Sequence, residues 1–211
     1  MDTIKQSTLQ PAMLFELAVA VTEQSVLEST AVDWDEALKV ACFRQRQYFD
    51  AKIPQSLALV DKEIAQLVSS NLQSMLADVS ASRGERLLVR PKVPGYGWIA
   101  SGHGDFGTLG SIIEVKCTRR RFSTADYRQL TFYWLLSYLD ALEKGASTWT
   151  SGILLNPRLN FGVEFEFDDL LAPISERRSL IDVVERFRCV IDESLEEPSA
   201  LPLGNRNSPI A

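Results

Sequence analysis

The chain has 211 residues, of which 45% are hydrophobic and 24% charged, with a formal net charge of −6; that is enough for one domain with a substantial core and an appendage. No run of about 18 apolar residues occurs, which excludes a membrane-spanning helix, and the start MDTIKQSTLQP lacks the basic and apolar regions of a secretory signal, so a cytoplasmic protein with no membrane partner is expected. An overall acidic chain is not a nonspecific binder of nucleic acid.

Residues 12–49 predict two helices broken near Ser29–Asp33, with Asp33 as the N-cap of the second and Trp34, Ala37, Leu38, Ala41 and Cys42 on one face. Pro54 ends this segment, and residues 1–55 form a helical N-terminal extension. A longer helix over about 56–78 follows, carrying Val60, Ile64, Leu67, Val68, Leu72 and Met75 at helical spacing. The pattern changes at Gly84. Residues 85–93 predict a strand, Pro94, Gly95 and Gly97 a turn, and residues 97–107 and 111–118 two further strands. Ser123-Thr-Ala-Asp126 fits a capping box that opens a helix to about residue 143, apolar almost all round and so covered on more than one side, with Gly145 closing it. A short strand at 151–155, an Asn156-Pro157 turn and the alternation Phe161, Val163, Phe165, Phe167 give two last strands, and an amphipathic helix follows over about 174–195. Residues 197–211 read as a frayed tail. The order helix, three strands, helix, two strands, helix implies an α/β fold with a mixed central sheet and flanking helices over 56–196.

Cys42, Cys117 and Cys189 follow no CxxC spacing and cannot supply four ligands to a structural zinc, so they read as small, mostly buried thiols. The charge is unevenly spread. Between Arg83 and Arg128 nine basic residues face four acidic ones, a local +5 that leaves −11 for the remainder. Such a basic middle suits phosphates, unless its arginines pair with the acidic flanks.

The chemistry concentrates in Gly104-Asp105-Phe106-Gly-Thr-Leu-Gly-Ser-Ile-Ile-Glu114-Val-Lys116. Strand alternation puts Ile112, Glu114 and Lys116 on one face and Ile113, Val115 and Cys117 on the other. A turn centred on Leu109-Gly110, made by a four-residue loop from Thr108 to Ser111, sets Asp105 opposite Glu114, with Cβ atoms about 4.5–5.5 Å apart. Carboxylates that close repel unless a cation lies between them, and hard oxygen donors suit Mg²⁺ or Mn²⁺. Lys116, further along the same face, can approach an attacking water or a phosphate oxygen. The plain alternative is a solvated Asp/Glu/Lys cluster. Against it stand the apolar setting Ile-Ile-Glu-Val-Lys-Cys, glycines at 102, 104 and 107 that allow close backbone approach, and the basic run Arg119–Arg121.

The pattern Gly-x-Gly-Asp105-x8-Glu114-x-Lys116 before a helix, followed by Gln129-Leu-Thr-Phe-Tyr133 within it, resembles the PD-(D/E)XK nuclease superfamily, in the RecB-like and lambda-exonuclease-like branch with a QxxxY motif. The resemblance covers about residues 56–168; Gly104 stands where some relatives have proline. It implies a restriction-endonuclease-like core and a metal-dependent nuclease acting on nucleic acid, with DNA the expected substrate, in repair, recombination or anti-phage defence. Asp105, Glu114 and the Val115 carbonyl would bind the metal. Lys116 would orient or activate the attacking water, Gln129 would organise the site and Tyr133 would contact a phosphate. Arg119, Arg120 and Arg121 would bind the nucleic acid backbone. Relatives often carry an acidic residue on the first core helix; Glu63 is the best match here, or else solvated surface. His103 would touch the metal shell or substrate, or serve structure alone.

Two readings compete: a non-cutting nucleic-acid-binding or scaffolding subunit on the same fold, and a metal-independent protein–protein module using the acidic flanks. No helicase or ATPase motif is present, so such an engine would be a partner facing the acidic surface.

Overall fold

The computed structural model describes residues 6–28, 31–171 and 180–196. Two helices come first, α1 (Pro11–Glu28) and α2 (Trp34–Gln45), and the Asp33 carboxylate caps α2 by accepting from the Asp35 and Glu36 amides at 3.0 Å each. The long helix α3 (Leu59–Arg83) outruns its expected end and stops where Gly84 turns left-handed, at φ 64°. Next come β1 (Leu88–Val89), β2 (Lys92–Val93), β3 (Gly102–His103), β4 (Phe106–Gly107) and β5 (Ser111–Val115). The single strand expected at 85–93 is cut in two by Arg90, at φ 51°, and by Pro91, which has no amide to give a ladder. The strand expected over 97–107 is cut likewise at Gly104–Asp105, and its first residues form a hairpin turn at Gly97 instead. Helix α4 (Thr124–Lys144) begins at the Ser123/Asp126 box and ends at left-handed Gly145. Strands β6 (Ser151–Asn156) and β7 (Phe161–Glu166) follow; Phe167, expected to continue the strand, opens the short helix α5 (Phe167–Leu171). The last helix is α6 (Leu180–Glu196), and the first turn expected for it at 174–179 lies outside the described residues.

The result is an α/β fold with six helices among the described residues and a mixed five-stranded sheet in the order β1-β4-β5-β6-β7, plus the separate pair β2-β3. Only β5 and β6 are parallel, so α4 is the crossover between them. Each face of the sheet is covered, which is why β5 and β6 are apolar on both sides. On one face Ile112 and Leu154 pack with Leu130 and Trp134 of α4 and with Phe167. Helix α6 covers α4 from outside through the edge-on Phe132–Phe187 pair, giving α4 the two-sided burial its composition demands. On the other face Ile113, Val115 and Ile153 pack with Leu72 and Leu76 of α3 and Val19 of α1. The rest of α1 belongs to a helical core in which Ala18, Ala37, Ala41 and Ala65 are fully buried, and these small side chains let α1, α2 and α3 approach closely. Helix α1 thus shares a core with the sheet, while α2 packs in the helical core alone. Among the described residues no helix is long and apolar enough to cross a membrane. Of the cysteines only Cys42 is buried; Cys117 is half-buried and Cys189, on the outer side of α6, is exposed.

Asp61 is fully buried near the start of α3. It accepts from the Ser7 hydroxyl at 2.8 Å, the Thr8 amide and hydroxyl at 2.8 and 2.6 Å, and the Ala58 amide at 3.3 Å. Burial alone would raise its pKa, but these donors outweigh it and hold the carboxyl below its ordinary value. Asp61→Ala strands four donors, so denaturant unfolding should show a loss of about 2–4 kcal/mol at neutral pH. A depressed pKa contributes stability above the unfolded-state value of about 3.9 and loses it as pH falls through the folded value, so the difference between wild type and variant should shrink in acid.

Candidate active site

The β4–β5 hairpin sets the geometry. Phe106 pairs with Ile113 and Gly107 with Ile112, and the same register carried one residue further puts Asp105 opposite Glu114, as the turn position requires. The loop is the four-residue one: the Thr108 amide donates to the Ser111 carbonyl at 2.9 Å, the Ser111 amide returns to the Thr108 hydroxyl at 3.2 Å, and Leu109 is exposed at the tip. Of the three expected glycines one is sterically required and a second is in a tight place. A Cβ on Gly107 would sit 2.9 Å from the Ser111 carbonyl oxygen, and one on Gly104 would sit 3.1 Å from Ile112; Gly102 has open space around it.

Beyond Phe106 the ladder ends, and the Asp105 side chain takes over part of its work by accepting from the Val115 amide at 2.8 Å through Oδ2. Glu114 is only 6% exposed and faces α4. Its Oε1 accepts from Lys116 Nζ at 2.7 Å and from Gln129 Nε2 at 2.8 Å. Gln129 Oε1 in turn accepts from Lys116 at 2.8 Å, and its Nε2 also donates to the Tyr133 hydroxyl at 2.8 Å. The amide can face only this way: flipped, its oxygen would meet a carboxylate and its NH₂ an ammonium. Gln129 and Tyr133 are one turn apart on α4, so the helix presents both to the strand. The structure therefore joins Glu114, Lys116, Gln129 and Tyr133 in one hydrogen-bonded chain beside Asp105.

Burial first, and then the Glu114 charge, push the Asp105 carboxyl up to about 8. Burial and Glu114 likewise raise the Tyr133 phenol. For Lys116 burial opposes the charge, but Glu114 and Asp105 outweigh it and hold the ammonium pKa above its ordinary value. A third carboxylate acts on Asp105: Glu16, from α1. Glu16 lies 3.7 Å from the Arg44 guanidinium of α2, which also binds Glu23 at 2.6 Å. Burial nevertheless raises the Glu16 pKa, and the second oxygen of Glu23 is buried with no partner among the described residues. Sequence reasoning missed Glu16 and Arg44, and it placed the helical carboxylate on Glu63 instead. Glu63 is exposed on α3 and is not among the charges acting on Asp105, Lys116 or Tyr133.

His103 is exposed, paired with Lys92 across β2-β3, and is likewise outside that set. Arg119, Arg120 and Arg121 are exposed in the loop that follows Lys116, with Arg121 lying over the Phe161 ring, 5.5 Å from its centroid. Fully buried Asn156 holds this loop through the Thr118 carbonyl at 3.0 Å, a role the Asn-Pro turn signal did not reveal.

Among the described residues Asp105 Oδ1 and Glu114 Oε2 accept no hydrogen bond. The two carboxyl groups could each offer one oxygen to a hard cation such as Mg²⁺ or Mn²⁺, which keep several waters and take one or two protein carboxylates.

A raised carboxyl pKa has a definite sign in stability. From the unfolded-state value near 3.9 up to about 8, the folded chain keeps a proton that the unfolded chain releases, so Asp105 makes the metal-free protein progressively less stable as pH rises across that window. Asp105→Asn should remove this decline and leave the variant at least as stable as wild type at pH 8. Thermal unfolding in chelator across pH 4–9 checks it; parallel curves for the two proteins would contradict the raised pKa.

No family model, no curated protein and no solved structure matches the chain.

Proposed function

We propose that the chain is a divalent-metal-dependent nuclease of the PD-(D/E)XK type that hydrolyses phosphodiester bonds, with DNA as substrate. On this reading α3, the five-stranded sheet and α4 are a restriction-endonuclease-like core, and α1 and α2 are its helical extension. The observation that carries it is the hydrogen-bonded chain Glu114–Lys116–Gln129–Tyr133 beside Asp105. Five residues spread over 29 positions meet in one place, each of a type that phosphodiester hydrolysis uses.

Mg²⁺ or Mn²⁺, held by Asp105, Glu114 and the Val115 carbonyl, would supply positive charge beside the phosphate and lower the pKa of the attacking water. The chain's own groups do the rest. Water attacks phosphorus, the bond from phosphorus to the leaving oxygen breaks, and the products are a phosphomonoester and an alcohol. Lys116 donates to the oxygens on which negative charge grows. Gln129 fixes the ammonium relative to Glu114, because its carbonyl binds one and its NH₂ the other. The Tyr133 oxygen accepts from Gln129, so its own proton is free to go to a phosphate oxygen. Arg119, Arg120 and Arg121, just past Lys116, attract the backbone.

Incubation with linear, circular and single-stranded DNA should give cleavage that needs Mg²⁺ or Mn²⁺ and is abolished by Asp105→Ala or Glu114→Ala. Lys116→Ala should keep metal binding by calorimetry while single-turnover cleavage falls about a hundredfold to a thousandfold, and Lys116→Arg should not restore it. Cleavage by all three alanine variants at the wild-type rate ends the proposal. Metal and DNA binding by a wild type that never cuts would favour the scaffolding reading.

Replacing Arg119, Arg120 and Arg121 together should weaken binding and flatten its salt dependence by about one phosphate for each arginine that contacts the backbone. An unchanged slope would assign these arginines to contacts within the protein.

A further inference from the structure

Helix α2 buries Ala37, Ala41 and Gln45 against α1 and α3 and turns Glu36, Lys39 and Phe43 outward, with half-buried Val40 beside them. These four, with Arg44 and Arg90, line a cleft of about 380 Å³. The cleft lies beside the catalytic carboxylates through two connections. The Arg90 amide donates to the Asp105 carbonyl at 3.0 Å, so Arg90 and Asp105 are backbone neighbours just beyond the paired ends of β1 and β4. Arg44 binds Glu16, which acts electrostatically on both Asp105 and Arg90.

Three features make this cleft more than a surface hollow. Phe43 is 78% exposed, with a whole aromatic ring open to solvent on a helix that has an apolar face elsewhere. Arg90 holds a left-handed φ of 51°, a conformation that costs a residue with a Cβ free energy and that clusters at functional positions. The charge balance of the lining is positive: Arg44 is committed to Glu16 and Glu23, and Lys39 and Glu36 offset each other in a surface pair that a phosphate can displace, which leaves the Arg90 guanidinium as the excess charge. A cation beside an open ring, next to a phosphodiester-cleaving centre, matches the chemistry of one ligand class. Bases of a duplex are covered by their neighbours, so an isolated ring stacks only on an unpaired or terminal base.

We propose that this cleft is a subsite for unpaired nucleotides of the substrate strand, with the Phe43 ring stacked on a base and Lys39 and Arg90 holding the flanking phosphates. The proposal rests on the nuclease reading for its ligand and deepens it: the substrate is a strand with a single-stranded segment, fed to Asp105 and Glu114 along α2.

The test is fluorescence anisotropy of the full chain in chelator, with a labelled short oligothymidylate and a blunt duplex as probes, alongside cleavage of both with Mg²⁺. Phe43→Ala should weaken single-strand binding roughly tenfold or more, leave duplex binding unchanged, and be rescued by Phe43→Trp. Phe49→Ala is the control, since Phe49 is fully exposed but outside the cleft, and it should change nothing. Arg90→Gly should lower the salt slope while keeping or raising thermal stability, because glycine adopts the left-handed backbone freely. Unchanged single-strand binding by Phe43→Ala overturns the proposal, as does equal loss on both probes. Equal loss from Phe43→Ala and Phe49→Ala overturns it too, and marks the area as a general apolar surface for a protein partner. A wild type that cuts while Phe43→Ala is indifferent sinks the subsite alone. A wild type that never cuts but binds single strands through Phe43 sinks the nuclease reading alone. Binding of neither probe by the wild type sinks both.

Discussion

Glu114 stands at the end of a central strand with 6% of its surface exposed, between an aspartate on one side and a helix on the other. A carboxylate in that position is costly unless it is answered, and much of the local architecture can be understood as the answer. Lys116 and Gln129 give Glu114 two donors, which requires α4 to pass close over the strand with the right turn facing down. Asp105 must lie opposite it, which requires the four-residue loop and a glycine at 107, where a side chain would collide with the Ser111 carbonyl. The Asp105 carboxylate takes the Val115 amide because the ladder has stopped there, and the ladder stops because the chain bends away. Register, turn and helix placement are thus coupled through one buried charge.

The N-terminal helices enter this arrangement from the opposite side of Asp105. Helix α1 is a shared wall: Met13, Leu14 and Leu17 face the helical core while Val19 faces the sheet. With that position fixed by packing, Glu16 is carried to the carboxylate pair, and Arg44 of α2 is needed to balance Glu16 and Glu23. Four carboxylates and an arginine in one partly buried region are poised electrostatically rather than optimised for stability, and the unpartnered Glu23 oxygen is a sign of it.

How much of this was legible in the sequence depends on whether a contact is local. The register of Asp105 with Glu114 could be read from the turn because only eight residues lie between the two. The Ser123/Asp126 box and Gly145 marked both ends of α4, and the spacing of Gln129 and Tyr133 put them on one face of it. The break at Arg90-Pro91 was signalled by the proline but overridden by the β-rich run Leu-Leu-Val-Arg-Pro-Lys-Val around it. Phe167 kept the alternating pattern of β7, and only its packing on Trp134, with ring centroids 5.1 Å apart, turned it into the start of a helix. Glu16 was beyond reach: it acts on a residue 89 positions away, and nothing in its own neighbourhood distinguishes it from Glu63.

The crossover between β5 and β6 has a consequence for how the site opens. Parallel strands cannot be joined by a tight turn, so the pairing of Ser111–Val115 with Ser151–Asn156 exists only while α4 spans the gap over the sheet. That same helix supplies Gln129 and Tyr133 to the site and Leu130 and Trp134 to the core. Any fluctuation that lifts the first turns of α4 removes a donor from Glu114 and exposes Ile112 in one motion. Local unfolding and loss of the site are therefore a single cooperative event, and amide hydrogens of α4 and β5 should exchange as one unit rather than as separate helix and strand.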